Sequence, residues 1–476
     1  MGFLPRLMSF NELSAALGAD LFAGEGKQVS LSNTDGFSSV CIDSRTAGED
    51  CLFVALKGEF QDGHRFIEEA FAAGAGGAII AKTALNDAVL DLEKIANKFN
   101  KILIPVEDTL KALQKAAATY LRKFPNLLRI GITGSAGKTT TKEIAAKIIS
   151  FEKSIIMNKG NLNSETGLPL SVFEVRSHHS IGIFEAAMNR PGEMTALAEI
   201  LNPHVALITN IGSAHIGYLG SRERIAEEKK QIFSFFSGNN TAMIPIEDDF
   251  KDFLAKDVKG KIVFYGPSTL SPLGEIRDLG LKGSEITWDN KPVVFGLPGK
   301  FNVQNALSAA ALAMELSMSS SSICKGIESV KPLFGRGEIF KGRTTLIRDC
   351  YNSSPESAYQ AIDFFEDVSW PGRKIYIMGS MLELGDLTPK AHSDLGLKLA
   401  SVGKDKVFLY GKETEITADI LAKASVPFFH TLEREELSIA LDEFVKDGDL
   451  VLLKASRGCA LESLTEVLVG RNASVL

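Results

Sequence analysis

The stretch Gly131-Ile132-Thr133-Gly134-Ser135-Ala136-Gly137-Lys138-Thr139-Thr140 decides how the rest of the chain is read. It closes an apolar run, residues 127–133, that reads as a buried strand, and it opens a helix predicted from about Lys138. Glycines at such a turn let backbone N–H groups close around oxygens with no Cβ in the way. The helix N-terminus adds free N–H groups and a partial positive charge. The segment Gly134, Ser135, Ala136, Gly137, Lys138, Thr139 and Thr140 is therefore expected to cradle nucleotide phosphates, with Lys138 bridging the β- and γ-phosphates and Thr139 offering its hydroxyl to Mg²⁺. The usual loop has four residues between its first glycine and Gly-Lys; here Ile132 holds that first position. The competing reading, a glycine-rich turn that binds nothing, is disfavoured by Gly-Lys-Thr directly after a buried strand. The loop by itself says nucleotide, not reaction.

Outward from the loop, apolar runs at 181–187 and 205–211 read as parallel strands, and a helix is predicted over 109–123, before Pro125. Residues 296–299 read as a turn and 306–316 as an alanine-rich helix. Continuous apolar strands alternating with helices imply an α/β layer fold. A first unit, 1–107, has strand-like runs at 52–56, 77–81 and 102–106, with a helix-like stretch at 64–73. The second unit is 108–332. The third, 333–476, has candidate strands at 345–349, 374–378, 406–410 and 450–454, a small doubly wound sheet. Pro332 and Gly335 mark the hinge before it.

A net charge of −7 argues against a protein built to grip nucleic acid or an anionic membrane, which needs a basic face. The five cysteines are odd in number and widely spaced, with no CxxC, which argues against a disulfide framework or zinc site and fits a reducing compartment. The N-terminal stretch lacks the pattern of a signal peptide, and no apolar run reaches the ~18 residues needed to span a bilayer. A soluble, cytoplasmic protein is expected; these features do not bear on oligomeric state, for which a monomer is the expectation.

Glu185 lies inside an apolar run, where a carboxylate is expensive to bury without a partner. It is either a strand end facing water or, beside a phosphate loop, a Mg²⁺ ligand. His215 follows the next strand after a short turn; a lone loop histidine is commonly just solvated, but the carboxyl end of a sheet strand is where sites form. Lys229 and Lys230 sit in a helix-like run, 222–235, rich in glutamate, and on residue type alone both read as part of a solvated face.

The motifs together resemble the Mur ligases of peptidoglycan synthesis, in order and nearly end to end, from Asp43 to Arg457. Asp43-Ser44-Arg45, residues 52–58 and Asp62-Gly63-His64 look like the family's uridine-nucleotide unit. The displaced glycine of residues 131–140 is the family's own form of the phosphate loop. Residues 158–163, with Asn161 and Asn163, look like a substrate-contacting loop, 184–193 like the stretch carrying a magnesium carboxylate, and 209–215 like the one carrying a second-metal histidine. Lys229 aligns with the lysine that the family carbamylates. Gly335-Arg336, Asp349-Cys350-Tyr351-Asn352, Glu383-Leu384-Gly385 and His392 match motifs of the third unit. Phe301 stands where a histidine is usual before Asn302, and Arg348, Ser354, Ser380, Ala187 and Ala455 also depart from the pattern.

The resemblance implies three domains: a central P-loop NTPase-like sheet, an N-terminal α/β domain for the UDP-linked substrate, and a C-terminal Rossmann-like domain. It implies an ATP- and Mg²⁺-dependent ligase that joins D-alanyl-D-alanine to UDP-N-acetylmuramoyl-tripeptide through an acyl phosphate; the alternative is a relative adding a single amino or diamino acid. Implied catalytic residues are Lys138, Lys229 and His215. Two Mg²⁺ would be held by Thr139, Glu185, His215 and carbamylated Lys229. Asn302, Arg336 and Asp349 would join the loop around the nucleotide. Ser44, Arg45, Asp62, Gly63, His64, Asn161, Asn163, Tyr351 and Asn352 would contact the other substrates. Outside this family, a regulatory nucleotide switch fits the phosphate loop alone.

Overall fold

Strand Leu128–Thr133 runs inside a six-stranded, all-parallel sheet. The order across it is Ile155–Met157, Ile181–Glu185, Leu128–Thr133, Val205–Ile208, Thr241–Pro245 and Lys261–Tyr265. This computed structural model describes residues 5–23, 27–28, 35–58, 61–86, 90–402, 405–471 and 473–475. The central strands are buried on both faces over most of their length, which is why they read as largely apolar runs, with Arg129 the interruption in Leu128–Thr133. On one face Val205 and Leu207 join Ile130, Ile132 and the helices Lys138–Ser150 and Lys300–Glu315. On the other, Ala206 and Ile208 pack with residues of Thr109–Leu121 and Glu193–Leu201. Ala306, Ala309, Ala310 and Ala313, all fully buried, let helix Lys300–Glu315 lie close along Lys138–Ser150.

After Leu128–Thr133 the chain fills two positions on one side, then crosses to Val205–Ile208 on the other. Such a reversal leaves a crevice outside the carboxyl ends of the strands. Register pairs Glu185 with Ile132 and Ile208 with Thr133, so these strands end at one edge. The two flanking strands stop before the apolar runs do. Residues 186–187 and 209–211 leave the ladder and enter the loops over that crevice, a boundary that hydrophobicity alone does not mark.

Before it, a six-stranded sheet is parallel across Ser39–Cys41, Cys51–Val54, Gly77–Ala81 and Ile102–Val106, with two short antiparallel strands at its other edge. After it, a seven-stranded sheet is parallel across Phe428–Thr431, Lys406–Tyr410, Lys374–Gly379, Leu450–Lys454 and Thr345–Asp349, and antiparallel at Glu338–Lys341 and Ser474–Val475. A small antiparallel sheet, Leu273–Asp278, Ser284–Trp288 and Lys291–Phe295, seals Trp288 and Phe295 into the central core. The fold is α/β with parallel and mixed sheets. All five cysteines are free; burial pushes the Cys350 thiol up to about 12, the state of an inert thiol. No helix among the described residues is long and apolar enough to cross a membrane.

Candidate active site

The phosphate loop is shaped by its neighbours. Gly137 has φ 79°, and a Cβ there would lie 2.1 Å from Asn305 Oδ1; a Cβ on Gly134 would lie 1.9 Å from Thr209 Oγ1. Thr209 Oγ1 donates to Ala136 O at 2.6 Å, Asn210 Nδ2 donates to the same oxygen at 3.0 Å, and Ala136 N donates to Asn210 Oδ1 at 3.0 Å. The loop is thus braced from the next strand's end. Helix Lys138–Ser150 begins after it with no side-chain cap, leaving first-turn N–H groups for an anion. Lys138 Nζ donates to Gly134 O at 2.8 Å and Ser135 O at 3.3 Å. Burial pushes the Lys138 ammonium below its ordinary value; Glu185 acts against this and Arg336 adds to it. An anion beside Lys138 would relieve both.

Glu185, the last residue of its strand, is 1% exposed. Asn158 brackets its backbone: Glu185 N donates to Asn158 Oδ1 at 2.9 Å, and Asn158 Nδ2 donates to Glu185 O at 3.0 Å. Fully buried Lys142 holds that asparagine in turn, donating to Asn158 O at 2.7 Å. Asn163 Nδ2 donates to Glu185 Oε1, and Oε2 has no partner. A buried, unpartnered carboxylate oxygen near a phosphate loop suits a hard cation. No cluster of three or more His, Cys, Asp or Glu side chains converges among the described residues. Mg²⁺ at phosphate sites commonly takes one or two carboxylates together with phosphate oxygens.

His215 adopts φ 64°, and its Nδ1 lies 3.0 Å from Glu383 Oε2. Burial pushes its imidazole below the ordinary value, with the Glu383 bond opposing. Lys229 is fully buried and its Nζ has no partner; burial, reinforced by Lys138, pushes the ammonium well below its ordinary value. Lys230, by contrast, reaches the surface and donates to Phe253 O and Lys256 O.

A cavity of about 750 Å³ opens over the loop. Ser135 to Thr140, Asn161, Asn163, Glu185, His215, Asn302, Arg336, Asp349, Tyr351 and Asn352 line it. Gly134 and Lys229 are not among the lining residues, though Lys229 is near enough to act on the charges of Lys138 and His215. Arg336 stacks on Tyr351, 4.2 Å from the ring centre, and Asp349 Oδ2 accepts from Lys454 Nζ at 2.7 Å.

Comparison with known proteins fits this arrangement. Residues 37–121 match the Mur ligase family catalytic domain, 132–313 the Mur ligase middle domain, and 335–457 the Mur ligase glutamate ligase domain. The UDP-N-acetylmuramoyl-tripeptide–D-alanyl-D-alanine ligase of Treponema pallidum is 39% identical over 97% of this chain and 99% of its own. The chain belongs to the Mur ligase family. The Bacillus subtilis ligase of the same name is 34% identical over 90% of this chain and 93% of its own. Among solved structures, MurF from Acinetobacter baumannii superposes with a TM-score of 0.86 at 28% identity, covering 98% and 99% of the two chains. MurF from Thermotoga maritima in complex with ADP gives 0.76 at 29% identity, covering 90% of this chain and 96% of that one.

In this Mur ligase the first-unit residues stand apart from the cavity. Asp43 and Arg45 pair at 2.6 Å on the surface, and Ser44 Oγ donates to Glu69 Oε2 at 3.0 Å. His64 is buried: Nε2 accepts from Ala81 N at 2.9 Å, which leaves Nδ1 to donate to Asp62 Oδ1 at 2.5 Å. Gly63 N donates to Leu56 O at 2.8 Å. His64 thus fixes the turn that presents Asp62 and Gly63. Glu383, from the motif Glu383-Leu384-Gly385, also lines the cavity, as do Lys454 and Glu356, which no motif singles out. Lys454 carried a usable signal: like Glu185, it is a charged residue ending an apolar strand.

Arg348, a departure from the family pattern, has a partner of its own. It meets Glu338 Oε2 at 2.7 Å and lies over Phe334 and Phe340, 4.7 and 4.5 Å from the ring centres.

Proposed function

We propose that this Mur ligase joins D-alanyl-D-alanine to UDP-N-acetylmuramoyl-tripeptide at the expense of ATP, releasing ADP and phosphate. The observation that carries the reading is the unpartnered, buried Glu185 Oε2 beside the cavity that Lys138 and Thr139 line. The names of the relatives supply the substrates. The Thermotoga maritima relative was solved in complex with ADP, which supports ATP as the nucleotide.

A carboxylate does not react with an amine because oxide is a poor leaving group. Transfer of the γ-phosphoryl group to the tripeptide carboxylate gives an acyl phosphate. The dipeptide amine attacks its carbonyl carbon, the C–N bond forms, phosphate leaves, and the amine gives up a proton. In the phosphoryl transfer both partners, the ATP phosphates and the acceptor carboxylate, are anionic, so catalysis is mainly positioning and charge neutralisation. Lys138 and the loop N–H groups hold the β- and γ-phosphates. Thr139 and Glu185 would hold one Mg²⁺, His215 and carbamylated Lys229 a second. Bound Mg²⁺ would neutralise phosphate and carboxylate oxygens as charge moves. Carbamylation would turn the uncompensated Lys229 amine into an anionic oxygen ligand.

Residues 1–107, with Ser44, Arg45, Asp62, Gly63 and His64, take the uridine-linked substrate; Asn161 and Asn163 lie toward its peptide end. Residues 108–332 carry the chemistry. Residues 333–476 close over Asn302 and the nucleotide with Arg336 and Asp349, and present Tyr351 and Asn352 to the dipeptide. Closure excludes water, which would hydrolyse the acyl phosphate. The enzyme works where ATP and UDP-linked precursors are made, in the cytoplasm, as a monomer. The test is amine choice: D-alanyl-D-alanine should drive ATP consumption with UDP-N-acetylmuramoyl-tripeptide. Faster turnover with a single amino or diamino acid on a shorter UDP-linked acceptor would overturn the assignment.

A further inference from the structure

The turn at residues 212–215 is held from two directions. On the phosphate-loop side, Ser135 Oγ accepts from Gly212 N at 2.8 Å. On the other, Glu356 grips Ser213 with both carboxylate oxygens: Oε1 accepts from Ser213 N and Oε2 from Ser213 Oγ, each at 2.8 Å. Glu356 stands in the first turn of helix Pro355–Asp367, 143 residues along the chain, on the C-terminal sheet unit. There is no slack between the two sides. A Cβ on Gly212 would lie 3.3 Å from Glu356 Oε1 and 3.4 Å from Ser135 Cβ. The same unit touches the turn again at His215, through Glu383 Oε2, and at Gly217, whose N donates to Glu383 O at 3.2 Å.

Both oxygens of Glu356 are engaged with a serine, so its role is mechanical rather than acid–base. Hydrogen bonds to an ionised acceptor are among the strong ones, and this pair exists only while the C-terminal unit lies on the central one. If that unit swings away, Ser213 loses both acceptors and His215 loses Glu383, and the turn that braces Ser135 is released.

We propose that Glu356 is a positioning residue: its two-point grip on Ser213 makes the placement of Ser135 and His215 conditional on closure of the C-terminal unit. The proposal rests on the ligase reading for its kinetic arm, but closure is measurable without turnover.

The experiment compares the full-length enzyme with Glu356→Ala, Glu356→Gln, Ser213→Ala and the double variant Glu356→Ala/Ser213→Ala. Glu356→Ala is expected to lower kcat about tenfold or more while moving the KM for ATP less than about threefold. Glu356→Gln should recover most of kcat, because its oxygen can accept from Ser213 N and its amide can meet Ser213 Oγ. The double variant should be little worse than Glu356→Ala alone, as expected of two residues acting through one contact. Small-angle scattering with a non-hydrolysable ATP analogue should show compaction of the wild type and less of Glu356→Ala. Should Glu356→Ala not fold, Ser213→Ala and Glu356→Gln carry the same comparisons. Additive losses, unchanged kcat in Ser213→Ala and Glu356→Ala, or equal compaction would each overturn the proposal. A wild type that compacts through Glu356 but forms no amide bond would overturn the ligase reading and leave the grip standing.

Discussion

Asn163 Nδ2 donates to Glu185 Oε1 at 2.7 Å, and the other oxygen of that buried carboxylate is left without a partner. The amide fixes which oxygen is spent inside the protein and which is free for a cation. Partners that orient a metal ligand matter to affinity about 10–100-fold. Asn163→Ala is therefore expected to raise the Mg²⁺ concentration for half-maximal turnover by about tenfold or more. A Mg²⁺ titration of initial rate checks this, and an unmoved midpoint would count against the role given to Glu185.

Lys229 is buried with no acceptor for its ammonium. Lys229→Ala is expected to lose about 100-fold or more in kcat, and short carboxylic acids added to the assay should restore part of it by supplying the missing oxygens. Full activity in Lys229→Ala, or no gain from the acids, would sink the carbamate.

At Gly137, φ 79° and the closeness of Asn305 Oδ1 both forbid a side chain. Gly137→Ala should distort the loop beside Lys138 while sparing the sheets. ATP binding measured by calorimetry is expected to weaken about tenfold or more, with the circular dichroism spectrum unchanged.

Glu338 and Arg348 are each under a tenth exposed, with side chains paired at 2.7 Å. Removing one member of such a pair leaves the other buried and uncompensated, at a cost of about 3–5 kcal/mol. Arg348→Ala should lower the urea midpoint accordingly. Arg348→Ala together with Glu338→Ala should lose less than twice as much.

The legible parts of the molecule were those where one physical demand dominates. Residues 128–133, 181–185 and 205–208 are buried on both faces, so the apolar run and the strand nearly coincide. The expected strands omit Thr241–Pro245 and Lys261–Tyr265; the second is an edge strand whose apolar, β-prone residues are mostly uncovered, so apolar sequence and burial part company there. Within the site, Glu185 showed as a carboxylate in an apolar run. Lys454 showed the same signal less plainly, at a strand's last position. Lys229 was hidden among the charges of its helix, although Ile225 and Ala226, four and three residues before it, mark the inward face. Contacts such as Ser213 with Glu356 left no local trace, since both residues also suit an ordinary turn and an ordinary helix start.

If one cavity couples ATP cleavage to the joining of two other substrates, phosphate release and amide formation rise and fall together. The most direct test is phosphate release, with mass spectrometry of the product, using UDP-N-acetylmuramoyl-tripeptide, D-alanyl-D-alanine, ATP and Mg²⁺ and omitting each in turn. One phosphate per amide bond is expected, with sustained turnover only in the complete mixture. Sustained phosphate release without the dipeptide, or ATP turnover with no UDP-N-acetylmuramoyl-pentapeptide formed, would contradict it.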